Sequence, residues 1–367
     1  MKFFCEKSSI LKEISVAHEI ISSKNVLSIL SNILIEVSDN KLVIKATDLK
    51  VNFESFIPVE TEEPGTTTVF CEKFLNILRS LPDEIINFQL KGEFLYITNV
   101  DNSINFQLNT INPEKFPEIQ DIDNSRYFEF SQKDFIDMIT QTIFSVSDDE
   151  TRYFMNGSFL EKTENKLAMV ATDGKRLSYI SKIFSGEIPD FTGIIIPPKI
   201  LMMIKKLASG EGNLYLAVSD KTLYVKFDNQ KLSSTLIEGQ FPNYNRVIPE
   251  KQIFKLIVRK EDFMNALKRV SILAEQRSKR IYLSTEKGRM KLKSEESDIG
   301  LAQEEVLCQY EGDSLSFALN YVYLIDPLRE MDQELISIHF SEAGKAITLH
   351  CEPEKDFFHI VMPMHME

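Results

Sequence analysis

An internal repeat constrains this chain more than any other feature. Ala171-Thr172-Asp173-Gly174-Lys175-Arg176-Leu177 has an echo 125 residues upstream in Ala46-Thr47-Asp48-Leu49. Phe116-Pro117 recurs at Phe241-Pro242 with the same offset, and Lys73-Phe74-Leu75 returns as Lys199-Ile200-Leu201 at an offset of 126. A fixed offset held over separated landmarks marks an array of one structural unit, here three copies of about 120 residues. The boundaries expected from turn chemistry are 1–122, 126–249 and 251–367, with linkers at Asn112-Pro113, Pro117, Asn124-Ser125 and Pro249-Glu250.

Each copy is itself doubled. Phe4-Cys5-Glu6-Lys7 reappears as Phe70-Cys71-Glu72-Lys73, and each time a short apolar run leads into an amphipathic helix pattern. The third copy shows only as pattern: Phe254–Val258 then Glu261-Asp262-Phe263 lines up with Tyr127–Phe130 then Lys133-Asp134-Phe135. In the first helix Ile10, Leu11, Ile14, Ala17, His18 and Ile21 form the expected buried stripe. Further helices are predicted over 73–81, 132–143, 198–207, 261–274 and 320–328, with Pro327 ending or kinking the last. Strand-turn-strand signals outnumber helices by roughly four to one. The fold class is therefore α+β, with antiparallel sheets and two short helices per domain.

Composition matters for function. A net charge of −13 and a pI near 5.1 argue against a protein that simply coats nucleic acid. Glu6 and Lys7 directly follow the first apolar residues, and no apolar run approaches the ~20 residues of a membrane span. Cys5, Cys71, Cys308 and Cys351 lie far apart without CxxC spacing. Together these predict a cytoplasmic protein whose cysteines are reduced and half-buried in strands. The histidines, at 18, 339, 350, 359 and 365, lack metal-site spacing, and no phosphate loop, GxSxG or GxGxxG occurs. No catalysis, metal or cofactor is expected. Asp48 and Asp173 occupy equivalent positions and could form a catalytic pair, but an Asp after Thr at a strand end is more ordinarily a turn residue. A β-rich hydrolase and an oligomeric scaffold without DNA remain the alternatives.

The helices carry the stronger signal. In 198–207, Ile200, Met203, Ile204 and Leu207 form the predicted buried stripe, leaving Lys199, Met202, Lys205 and Lys206 to solvent. In 261–274, Phe263, Ala266, Leu267, Val270 and Ala274 are the buried set, with Lys268 and Arg269 off it, and Lys73 and Arg79 flank the equivalent helix of the first copy. An acidic chain thus gathers cations on equivalent helix faces, which points to one shared polyanion. Ile272 sits about 180° from Phe263 at ~100° per residue, so it is predicted exposed beside Leu273 as a subunit contact.

These blocks, with Phe241-Pro242-Asn243-Tyr244-Asn245-Arg246-Val247-Ile248-Pro249, Arg152-Tyr153-Phe154-Met155-Asn156-Gly157 and the ending Val361-Met362-Pro363-Met364, resemble the bacterial DNA polymerase III beta subunit family, the sliding clamps. The resemblance covers the whole chain. It implies three similar domains and a head-to-tail homodimer closing a ring around duplex DNA without sequence specificity. Geometry agrees: six helices spaced about 10 Å apart enclose roughly 9 Å of free width, whereas twelve leave roughly 28 Å for a duplex about 20 Å across. Implied partners are the polymerase III catalytic subunit, the clamp loader, and other polymerases and repair proteins carrying clamp-binding peptides. The implied peptide pocket comprises Met155, Thr172, Gly174, Lys175, Arg176, Leu177, Pro242, Arg246, Val247, Val361, Met362, Pro363 and Met364, an apolar cleft with Arg176 and Arg246 as charged rims. Lys24 matches a DNA-contacting arginine of the family, and Arg152 and Tyr153 lie in its DNA-touching loop, joining Lys73, Arg79, Lys199 and Lys206 as DNA-binding candidates. Phe106 and Leu108 match the dimer-edge strand, and Ile272 and Leu273 match its partner. Departures from the pattern are Asp149, Pro198, Lys175 and His365, together with Ser103 and Asn105 in place of arginines that usually supply ion pairs at the seam.

Overall fold

The computed structural model describes residues 1–21, 29–184, 188–219 and 221–366. Among them are six α-helices: α1 (Lys7–Ile20), α2 (Cys71–Ser80), α3 (Gln132–Thr142), α4 (Pro198–Leu207), α5 (Lys260–Val270) and α6 (Tyr321–Glu330). Each begins within two residues of a strand end, so the strand-to-helix step seen twice in the first copy occurs six times. The rest of the regular structure is antiparallel strand with short 3-10 turns. Cys71 opens α2 rather than lying in a strand, and Cys5 and Cys71 are buried. Burial, with a neighbouring glutamate, pushes both thiols up to about 12, so they stay protonated.

The chain forms two compact units. One comprises Met1–Gln132, Glu187–Pro189 and Ala208–Leu236, and the other Lys133–Gly186, Asp190–Leu207 and Ile237–Glu367. The first holds a thirteen-stranded sheet in which Val51–Pro58 of the first copy pairs with Gln230–Thr235 of the second. The second holds an eight-stranded and a four-stranded sheet, and in the former Arg176–Ile183 of the second copy pairs with Phe357–Val361 of the third. The partition falls inside the second copy because the hydrogen-bond ladder runs on from each copy into the next.

In the first unit Phe3 stacks on Phe88 at 4.7 Å between centroids, and Phe74 meets Phe88 edge-on at 6.0 Å. Helix α1 buries Ile10, Ile14, Ala17 and Ile20, each isoleucine worth about 1.5–3 kcal/mol. The predicted stripe is corrected on its flanks: Leu11 is half-buried and His18 is exposed, while Val16 and Glu13 are buried. Glu13 can lie inside because Gln230 Nε2 donates to its Oε2 at 3.0 Å and Asn229 Nδ2 to its Oε1 at 3.5 Å.

Other helix expectations also shift. In α4 Leu201 is buried and Leu207 only half-buried. Helix α5 ends at Val270 and tightens into a 3-10 turn over Ser271–Leu273, which turns Ile272 outward at 75% exposure. Pro327 does not stop α6. The helix runs on to Glu330, and Met331 N–H still closes onto the Pro327 carbonyl. Pro327 gives no N–H to the preceding turn and crowds the carbonyl there, yet Leu324, Ile325 and Leu328 on either side of it are buried.

The second unit's core contains a buried polar chain. His359 Nδ1 lies 2.9 Å from Ser178 Oγ, and Ser178 Oγ is 2.6 Å from Ser145 Oγ, while buried His359 Nε2 has no hydrogen-bond partner among the described residues. Burial, aided by the charges of His350 and Arg176, lowers the His359 pKa from 6.5 to about 3. Burial likewise lowers His350 to about 4. Both folded values lie below the unfolded one, so their stabilising contribution is complete above about pH 6.5 and is lost as pH falls through about 4 to 3. The melting temperature is expected to fall as pH drops from 7 to 4. His359→Asn should flatten that slope in calorimetry; a parallel slope would mean that His359 is not held neutral.

Candidate functional site

The repeated Thr-Asp stretch builds the same turn twice. Asp173 Oδ1 accepts from the N–H of Lys175 at 2.8 Å and of Arg176 at 3.0 Å, and Thr172 Oγ accepts from Gly174 N–H at 3.1 Å. Asp48 Oδ1 accepts from Lys50 N–H at 2.9 Å and Val51 N–H at 2.7 Å, and Thr47 Oγ accepts from Leu49 N–H at 2.9 Å. Leu49 and Gly174 share the left-handed backbone, at φ +73° and +86°. Both carboxylates therefore anchor turns, and the hydrolase reading loses its catalytic pair. The tip of Arg152 lies close over Gly174, where a Cβ would meet Nη1 at 2.9 Å and displace only that flexible end.

Beside the second turn lies a cleft of about 220 Å³. Met155, Thr172, Gly174, Lys175, Arg176, Leu177, Pro242, Val247 and Met362 line it as the resemblance implied, with Asn243, Tyr244 and Ile360 in addition. Four expected residues do not line it. Val361 is buried, and Ile360 stands in its place directly across the ladder from Leu177. One residue along a strand reverses the face, and the motif alone does not say which face is wetted. Pro363 and Met364 are half-buried beyond the cleft, where Met364 N–H donates to Ala318 O at 2.7 Å. Arg246 is exposed, on the 3-10 turn Tyr244–Val247. Tyr244 follows Phe241-Pro242 by one short turn, and its hydroxyl donates to Glu161, a contact that no local pattern signals. Met362 N–H donates to Lys175 O at 2.9 Å, tying the chain ending to the turn.

Arg176 lines the cleft, but its guanidinium is not an idle rim charge. Nε donates to Asp173 Oδ2 at 3.1 Å, Nη1 to Asp326 Oδ2 at 2.7 Å, and Nη2 to the Phe144 carbonyl. The guanidinium carbon sits 4.6 Å from the Tyr323 ring centroid. Such a partly buried, doubly paired arginine fixes geometry rather than waiting for a ligand. Its charge is thus already paired within the fold while the side chain stays in the cleft wall.

The candidate cations divide by element. Lys24 lies outside the described residues. Lys73 and Arg79 are exposed on α2, Lys206 is exposed on α4 and Lys199 is half-buried there, while Lys205 reaches Glu330 at 3.6 Å. Arg152 and Tyr153 sit on the 3-10 segment Glu150–Met155, whose far end places Met155 in the cleft. Asp149 caps this segment: its Oδ1 accepts from Thr151 N–H at 3.0 Å, and its Oδ2 accepts from Arg152 Nε at 2.9 Å. The Thr151 hydroxyl and then Arg152 hold the Asp149 carboxyl below the usual carboxylate range.

Two surfaces are open at the predicted seam. Strand Asn105–Ile111 pairs with Phe94–Thr98 along 105–109, and among the described residues only Thr110 and Ile111 find a strand partner on its other side. Phe106 and Leu108 are half-buried on one face of this edge. In the third copy Gln303–Leu307 is one of the two outer strands of the four-stranded sheet. Near it Ile272 and Leu273 line a groove of about 490 Å³ with Glu275, Glu295, Glu296 and Ile299.

Comparison with known proteins gives one answer along the whole length. Models of the DNA polymerase III beta subunit match as its N-terminal domain over residues 1–120, its central domain over 129–243 and its C-terminal domain over 245–365. The beta sliding clamp of Treponema pallidum (strain Nichols) is 43% identical over 371 residues, with 100% of each chain covered. The sliding clamp of Pseudomonas aeruginosa bound to griselimycin superposes with a TM-score of 0.95 at 26% identity, over 100% of both chains. The DNA polymerase III subunit beta of Borrelia burgdorferi in complex with a natural product gives 0.92 at 28%, again over 100% of both. On its own repeats, its fold and these matches, the chain belongs to the DNA polymerase III beta subunit family.

Proposed function

We propose that the protein is a non-catalytic processivity factor of DNA polymerase III: two copies close head to tail around duplex DNA, and partner enzymes are tethered by short apolar peptides. One observation carries the tethering: the cleft whose apolar wall is Leu177, Pro242, Val247, Ile360 and Met362. Methionine adapts to anchors of different shape without much strain, which suits a site shared by several partners. The polymerase catalytic subunit, the clamp loader, and other polymerases and repair proteins are the partners this reading assigns. The deciding experiment is retention: protein loaded on circular DNA should remain bound and leave once the circle is linearised. Met362→Asp should abolish polymerase stimulation while dimerisation and retention persist. A polymerase still made processive by that ring would move the partner site elsewhere.

Three clamp domains per chain, the seam and the DNA-facing cations belong to the same reading. The open edge Asn105–Asn109 supports a seam there, since an unpaired ladder is costly to leave uncovered. Its counterpart is the groove at Ile272 and Leu273. Replacing both by alanine removes side chains worth about 1.5–3 kcal/mol each when buried. The variant should sediment as a folded monomer where the parent is a dimer; an unchanged dimer would refute the seam. Ser103 and Asn105 bring no charge to it, so the dimer should respond weakly to salt.

On the DNA side an acidic chain with few phosphate contacts slides rather than grips, because each neutralised phosphate adds salt-dependent affinity. Arg152 is restrained by Asp149. Arg152→Ala should lower the salt slope of duplex binding by about 0.9, the value of one phosphate contact, and Asp149→Asn should strengthen binding only while Arg152 is present. An unchanged slope in Arg152→Ala would remove this segment from the DNA surface.

A further inference from the structure

The cleft has a counterpart position at the junction between the first and second copies, and polar side chains occupy it. The two turns correspond residue for residue at an offset of 125, so Asn52 stands where Leu177 stands and Glu54 where Tyr179 stands. The ladders also share one register. Asn52 faces Ser233 as Leu177 faces Ile360, and Glu54 faces Lys231 as Tyr179 faces Phe358. Chemistry differs at each pair. Asn52 Nδ2 donates to Ser233 Oγ at 3.0 Å, and Thr47 Oγ donates to Asn52 Oδ1 at 2.6 Å, so a polar chain spans the position of the apolar wall. Lys231 Nζ reaches Glu54 at 3.2 Å and Asp121 at 2.9 Å, drawing the linker down onto the sheet. In the second junction the equivalent pair is an aromatic stack, Tyr179 on Phe358 at 4.9 Å.

We infer that Asn52 and Ser233 are specificity determinants of partner binding: they close the first junction to apolar peptide anchors and limit each chain to one tether. The inference deepens the tethering function proposed above and rests on it. An apolar side chain packed on this pair would strip water from its remaining polar sites without replacing those bonds, whereas Leu177 and Ile360 lose nothing. The hydroxyl of Thr47 would retain an acceptor without Asn52, because Thr172 at the same position donates to the carbonyl of Arg176 at 2.6 Å.

The test titrates the full-length protein with a labelled peptide carrying an adjacent Leu-Phe pair. The parent should bind about one peptide per chain, and Met362→Asp should bind none. Adding Asn52→Leu and Ser233→Ile to Met362→Asp should restore about one, and a photoreactive peptide should then crosslink within 47–54 rather than 172–179. A parent that binds two, of which Met362→Asp removes one, would overturn the inference and leave the tethering cleft standing. Peptide binding that survives Met362→Asp at full stoichiometry would refute the cleft itself and the inference with it. A triple variant that melts like the parent and binds nothing would also overturn it. Should that variant unfold, Asn52→Val with Met362→Asp keeps Ser233, and absence of any crosslink at 47–54 there counts equally against the closure.

Discussion

Edge pairing between strands of successive copies governs the rest of this molecule. Val51–Pro58 with Gln230–Thr235, and Arg176–Ile183 with Phe357–Val361, turn separate repeats into continuous sheets. Each pairing begins at a Thr-Asp turn whose carboxylate holds two backbone N–H groups, so local hydrogen bonds fix how the strand enters the long-range ladder. This explains why compact units and sequence copies do not share boundaries. The cleft at Leu177 and Ile360 accordingly lies between strands contributed by two copies.

The second junction depends on buried polar groups as well as apolar packing. Arg176 ties the turn at Asp173 to Asp326 on α6 and to the Phe144 carbonyl. His359 lies beneath, hydrogen-bonded through Ser178 to Ser145. A cleft floor held in this way presents Leu177 and Ile360 in fixed positions, and a preformed apolar surface costs less conformational entropy to occupy. The first junction spends the equivalent positions on Asn52, Ser233 and Lys231. One fold thus offers two similar junctions and opens only one.

Much was legible locally. The 125-residue offset disclosed the repeats, the doubled apolar-to-helix step disclosed the strand-to-helix units, and the Thr-Asp pattern disclosed turns rather than a catalytic pair. Helical spacing identified Phe263, Ala266, Leu267 and Val270 as buried and Ile272 as exposed. The resemblance named most of the cleft. These succeed because turn geometry, helix faces and repeats depend on neighbours within a few residues or on copying.

Tertiary structure decided the rest. Glu13 is buried because Asn229 and Gln230 reach it from another copy, while His18 on the same helix finds no such cover and stays exposed. Arg176 is a pin rather than a free rim charge because Asp326 arrives from α6. Ile360 rather than Val361 faces the cleft because the register with Leu177 sets which side of the strand is open. The sequence by itself determined which segments turn, coil or extend. Only the fold determined which partner each face meets, because burial and pairing energies belong to contacts between residues far apart along the chain.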